Sequence, residues 1–110
     1  MPRPASLSAL QRRAEEVALL LKSLSHPVRL LAVCELMKGE RSVGALEAAT
    51  GAPQPTLSRD LARLRREGIV KARRQSKSVY YRLSDARAAR MIDALCVAFG
   101  PETRKKRSAR

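Results

Sequence analysis

Guanidiniums, hydroxyls and two thiols are the side chains with chemistry to offer in this chain, and residues 54–68, QPTLSRDLARLRREG, hold the first two kinds in order. Leu57, Leu61 and Leu64 recur at i, i+4 and i+7, the apolar stripe of an amphipathic helix. The other face carries Thr56, Ser58, Arg59, Arg63 and Arg66, groups that donate to phosphates and to base edges. Pro55 suits a first helical turn, where its missing N–H removes a donor without an intrahelical partner, and Gly68 can supply the left-handed residue that ends a helix. A basic face can equally be plain solvated surface, and the residues that follow bear on the choice.

Residues 69–83, IVKARRQSKSVYYRL, give a short β-rich run, a charged polar turn, and then Val79, Tyr81 and Leu83 alternating with Tyr80 and Arg82. That alternation predicts a two-stranded hairpin tipped by Arg73, Arg74 and Lys77. A basic-faced helix followed directly by such a hairpin has the outline of a winged helix-turn-helix, its helix suited to a major groove and its wing to the backbone or the adjacent minor groove.

The thiols are Cys34 and Cys96, and His26 is the one histidine. Free cysteines often only fill buried space, so a packing role stands beside a reactive one. A histidine at a helix start is ordinarily a cap or a hydrogen-bonding core residue, and metal binding is not expected there. Gly-rich phosphate loops, carboxylate pairs with His, and HExxH or CxxC spacings are absent, so neither an enzyme nor a cofactor is expected.

With 110 residues the chain is one small domain, much of whose apolar surface calls for a second copy to cover it. A net charge of +13 and a pI near 11.2 point to acidic partners, nucleic acid before an anionic membrane surface. The apolar run at residues 17–21 is stopped by Lys22, well short of the roughly 20 residues a membrane span requires. No signal-peptide pattern is visible, which predicts a cytoplasmic protein with reduced thiols.

The elements that position these groups can be read in order. Residues 1–5 are expected to be a flexible arm, residues 6–100 the DNA-binding and dimerisation domain, and residues 101–110 a disordered basic tail. Residues 6–24 read as one helix with Leu7, Leu10, Ala14, Val17, Leu21 and Leu24 on its apolar side, widened by Leu19 and Leu20. A second helix spans about 26–38, with Pro27 in its first turn and Val28, Leu31, Leu36 and Cys34 facing inward. Residues 42–50 form a third, capped by Ser42, with Val43, Leu46 and Ala49 buried; Gly51, Ala52 and Pro53 then turn the chain into the basic helix. Residues 85–99 close the domain, capped by Ser84 or Asp85, with Ala88, Ile92, Leu95 and Phe99 along one side.

At residues 24–36 (LSHPVRLLAVCEL), 56–70 (TLSRDLARLRREGIV) and 79–83 (VYYRL) the sequence resembles the ArsR/SmtB family of bacterial winged-helix repressors, and most of all its persulfide- and redox-sensing BigR and SqrR type. The resemblance implies a mainly α fold with a small β-hairpin (α+β), ordered helix-helix-helix-helix-strand-strand-helix. It also implies a homodimer joined through the first and last helices, and repression of an operon from a partly palindromic operator until an inducer intervenes. Metal-sensing branches carry Cys-x-Cys near the third helix or Asp and His along the last, and this chain has neither set, so no metal site is expected. Cys34 matches the second-helix cysteine of the persulfide sensors. Their last-helix cysteine falls at Gly100, however, whereas this chain has Cys96, about one turn earlier on the same side. Many relatives have His where this chain has Asp60, and Pro53 and Pro55 replace a usual Ser-x-Ser opening.

Residues 52–84 hold nine Lys or Arg against Asp60 and Glu67, a net of +7 on the expected DNA face. Gln54, Thr56, Ser58 and Arg59 are the expected base or near-base contacts, and Arg63, Arg74, Gln75 and Lys77 the backbone contacts, with Cys34 and Cys96 as a sulfur- or oxidant-responsive pair. Asp60 would accept from a cytosine amino group or orient a nearby arginine. Two alternatives stand: the same fold sensing arsenite or another soft ion through the thiols, and a non-specific architectural nucleic-acid binder without a switch.

Overall fold

The computed structural model describes residues 4–100, with side chains from residue 8. Its elements are α1 (Pro4–Arg12), α2 (Ala14–Leu24), α3 (Pro27–Leu36), β1 (Arg41–Ser42), α4 (Val43–Thr50), α5 (Gln54–Arg66), β2 (Val70–Gln75), β3 (Ser78–Leu83) and α6 (Ala86–Phe99). The mainly helical class with a small sheet is the one expected.

The single helix expected over 6–24 is two. Arg13 leaves helical geometry (φ −113°, ψ 15°), and α2 opens after it with Glu15 and Glu16 in its first turn. Arg13 Nε and Nη2 each donate to Glu16 at 2.9 Å, so the side chain at the break is held by a carboxylate that also suits the positive end of the new helix. Leu20, Ser23 and Leu24 are the buried side of α2, whereas Leu10, Leu19 and Leu21 are half exposed or more. α1 begins at Pro4, inside the stretch read as an arm; Met1–Arg3, the side chain of Leu7 and the basic tail lie outside what is described.

Ser25 and His26 interrupt the helices, and His26 Nδ1 caps α3 by accepting from the Val28 N–H at 3.2 Å, with Pro27 in the first turn. The inward face of α3 is turned from the expected one. Arg29, Ala32, Val33 and Leu36 are buried at helical spacing, Val28 and Cys34 are half buried, and Leu31 faces outward. Arg29 can take a place on that face because its charge is matched inside the protein. Ser42 Oγ accepts from the Ala45 N–H at 3.1 Å to cap α4, and Gly51, at φ 70°, closes that helix by donating to the Glu47 carbonyl at 2.9 Å. Leu46 is buried in α4 but Ala49 is exposed.

The expected two-stranded hairpin is a three-stranded antiparallel sheet in the order β1-β3-β2. β1 adds Arg41 opposite Tyr81 and Ser42 opposite Tyr80, while β2 and β3 pair from Val70 with Leu83 to Gln75 with Ser78. A two-residue turn, Ser76-Lys77, joins them, and Ser76 takes a positive φ of 57° where such tight turns ordinarily place glycine or asparagine. Asp85 caps α6 by accepting from the Arg87 N–H at 2.8 Å. Ala88 and Ile92 are buried and Leu95 half buried, but Phe99, expected on the packed side, is 82% exposed within the single chain.

One core unites Leu20, Leu24, Val33, Leu36, Leu46, Leu57, Leu61, Leu64, Ile69, Val70, Tyr81 and Ile92. Among the described residues no single helix is long and apolar enough to cross a membrane.

Candidate nucleic-acid interface and thiol pair

α5 has the largest separation of polar and apolar faces expected from its sequence. Leu57, Leu61 and Leu64 are at most 1% exposed, and their burial anchors the helix by roughly 1.5–3 kcal/mol each. Gln54, Ser58, Arg59, Ala62, Arg65 and Arg66 are exposed on the opposite side, and Thr56 is half buried at its margin. Pro53 precedes α5 and supplies no side-chain cap to its positive end.

Arg63, expected as a backbone contact, lies toward α2. Its Nε donates to Glu67 Oε2 at 3.3 Å, and Glu67 in turn accepts from the Ser23 hydroxyl. Arg65, which is not among the contacts expected from the sequence, follows Ser58 and Ala62 at helical spacing along the exposed face. That spacing was the available signal.

Asp60 does not face outward. It is 8% exposed and accepts from Arg29 Nη1 at 3.1 Å, so the cytosine contact considered for it is excluded by its position. The arginine it orients is on α3, not on the DNA face. Its place three residues after Leu57 and four before Leu64 puts it on the apolar stripe.

In the wing, Arg74, Gln75 and Lys77 are exposed at the turn end. Arg73 is held nearer the base: its guanidinium lies over the Tyr80 ring, 5.0 Å from the centroid, and donates to Glu40 at 2.9 and 2.7 Å. Arg73 Nη1 also donates to Gln75 Oε1 at 2.6 Å. These contacts hold the Glu40 carboxyl below its ordinary range and raise Arg73. The +7 counted from the sequence is thereby redistributed, since Arg63 and Arg73 have internal partners and Asp60 has left the face. Arg59, Arg65, Arg66, Lys71, Arg74, Lys77 and Arg82 are exposed and make no ion pair among the described residues.

At the other end of the molecule, Cys34 from α3 and Cys96 from α6 face one apolar hollow of about 400 Å³, lined also by Leu30, Leu31, Leu95, Phe99 and Gly100. Both thiols are free; Cys34 is half buried and Cys96 exposed. Burial pushes the Cys34 thiol up, and the neighbouring Cys96 adds to this. The earlier position of Cys96 on the last helix therefore still brings it against Cys34. No group of three or more His, Cys, Asp or Glu is placed to hold a metal ion among the described residues.

A reading helix with an exposed cationic face, a preceding short helix and a paired wing define a winged helix-turn-helix regulator. Residues 26–72 match the family model described as bacterial regulatory protein, arsR family, and the chain belongs to that family, as a DNA-binding transcriptional regulator and not an enzyme. Within it, the chain is 54% identical over 90 residues to the Biofilm growth-associated repressor of Xylella fastidiosa, covering 82% of this chain and 79% of that one. The Agrobacterium fabrum protein of the same name is 53% identical over 93 residues, 84% of this chain and 80% of its own. The crystal structure of the transcriptional repressor BigR from Xylella fastidiosa superposes with a TM-score of 0.81 at 53% identity, over 84% of this chain and 94% of that one.

Proposed function

We propose that the protein is a cytoplasmic, homodimeric repressor that binds a partly palindromic operator and is released when Cys34 and Cys96 are modified by a persulfide, sulfide-derived sulfur or an oxidant. The single observation that carries the switch is the meeting of the two thiols, one from α3 and one from α6, over the same apolar hollow. Repression and operator binding draw support from the named repressors it resembles and from the exposed basic face of α5. Dimerisation draws support from Leu10, Leu19 and Leu21 on α1 and α2 and Val97 and Phe99 on α6, which the single chain leaves uncovered.

In this reading Gln54, Ser58 and Arg59, with Thr56 at the margin, address base edges, while Arg74, Gln75 and Lys77 hold the backbone. The exposed Cys96 takes the sulfane sulfur of an organic persulfide, becoming Cys96–SSH and releasing the carrier thiol. Cys34 then attacks the inner sulfur of that group and expels hydrogen sulfide, leaving a Cys34–Cys96 disulfide without any further oxidant. A bond between α3 and α6 changes how the two halves of a dimer present their reading helices.

The test is operator binding before and after treatment with an organic persulfide. Affinity falls at least tenfold and returns with reductant, whereas Cys34→Ser binds the operator and ignores the treatment. If Cys34→Ser still responds, the thiol switch is wrong and the regulator remains.

A further inference from the structure

The core of this small protein is built of Leu, Ile, Val, Ala and one Tyr, yet two charged groups lie inside it. Arg29 and Asp60 are each 8% exposed. Arg29 Nη1 donates to Asp60 Oδ1 at 3.1 Å, and its Nε donates to the Ser23 carbonyl at 2.6 Å. One guanidinium on α3 thus binds both the end of α2 and the middle of α5. Asp60 Oδ2 is buried without a hydrogen-bond partner; His26 Nδ1, already occupied by the Val28 N–H, stands 3.7 Å from it.

Such a pair adds little net stability, because the cost of removing two charges from water largely cancels their attraction, and apolar replacements of similar volume are often as stable or more so. What it supplies is direction. Leu57, Leu61 and Leu64 press against a surface of aliphatic side chains, and packing of that kind tolerates small rotations of a helix about its own axis better than a hydrogen-bonded carboxylate does. Ser58 and Arg59 immediately precede Asp60 in the chain. The far end of α5 is tied to the same place, since Glu67 accepts from the hydroxyl of Ser23, whose carbonyl Arg29 holds.

We propose that Arg29 and Asp60 are positioning residues for DNA reading: their buried bond fixes the roll of α5, and with it the angle at which Gln54, Ser58 and Arg59 meet base edges. Neither residue touches DNA. The role rests on α5 being the reading helix, and the experiment separates the two claims.

A duplex selected by the full-length wild-type protein from a randomised library serves as the specific probe, and a scrambled duplex of equal length as the other. Both affinities and thermal unfolding are measured for the double variant Arg29→Met/Asp60→Leu, for Asp60→Asn, and for Arg59→Ala. The double variant melts within about 5 °C of wild type and holds the scrambled duplex equally well, but its ratio of selected to scrambled affinity drops about tenfold or more. A folded double variant with an unchanged ratio overturns the proposal. If it does not fold, Asp60→Asn decides, since it keeps the shape while removing the charge that gives the bond to Arg29 most of its strength. A ratio lowered about threefold or more, with the scrambled affinity kept, supports the positioning role, and an unchanged ratio overturns it. Should Arg59→Ala also leave the ratio untouched, α5 is not the reading helix, and the interface fails together with the pair's role.

Discussion

The two ends of this molecule use apolar residues in opposite ways. In the reading half, α4, α5 and the sheet bury their large side chains within one chain, down to 0–1% exposure for Leu46, Leu57, Leu61, Leu64, Ile69 and Val70. In the helical half, α1, α2 and α6 leave Leu10, Leu19, Leu21, Val97 and Phe99 uncovered. The first half is complete as folded; the second has the surface of an element awaiting a partner. Charges divide less sharply: seven cations of α5 and the wing make no ion pair among the described residues, whereas Arg87 of the helical half closes on Asp85 and Glu16.

The sharpest way to break this comparison is a pair of truncations. Leu61→Ala, inside the reading half, is expected to cost about 2–5 kcal/mol in denaturant unfolding at every protein concentration, while Leu21→Ala loses far less in the dilute single chain. Equal losses would mean that the two surfaces are not different in kind. Next comes Phe99→Asp. If the uncovered face meets a second copy, this substitution lowers the concentration-dependent stability and weakens operator binding by about tenfold or more, as sedimentation and titration would show. Unaltered sedimentation would sink the homodimer.

A smaller effect distinguishes free cations from paired ones. With three or four phosphates neutralised per subunit, log K should fall against log salt with a slope of roughly −5 to −7. Lys77→Ala or Arg65→Ala should reduce that slope by about 1 unit, and Arg73→Ala, whose charge Glu40 already meets, by much less. The smallest expected effect is on pH dependence. Hydrogen bonds from Arg13 and then Arg87 hold the Glu16 carboxyl down at about 2, against an ordinary value of 4.5. Its contribution to joining α2 and α6 is complete above pH 4.5 and lost as pH falls through about 2. Glu16→Gln should flatten stability against pH in that window, and a slope identical to wild type would show the contact to be inert.

How much of this was legible in the sequence follows the same division. α5 and the wing could be read because one face of each is apolar and the other charged, so periodicity alone places them. The break at Arg13 could not, for QRRAEE contains neither glycine nor proline and is held by contacts to Glu16 and, through it, to distant Arg87. β1 escaped because two residues carry no pattern. Nothing local marks Arg29 or Asp60 as buried, since charged residues ordinarily stay in water, and only a partner thirty-one positions away makes their burial tolerable. With Arg29 on the inner face of α3, Leu31, expected inside from its spacing, faces out. The meeting of Cys34 and Cys96 depends on how α3 crosses α6, which no local spacing encodes.

The short strand β1 has one more effect. Ser42 both pairs with Tyr80 in the sheet and caps α4, and the adjoining Glu40 grips Arg73 across the face of Tyr80. The wing is thereby stitched to the helix-turn-helix instead of hanging from it by its own two strands. If α5 and the wing are the parts that meet the duplex, they arrive already joined, so little ordering entropy is lost on docking, and the lifetime of the complex rather than its rate of assembly is left to distinguish one DNA sequence from another.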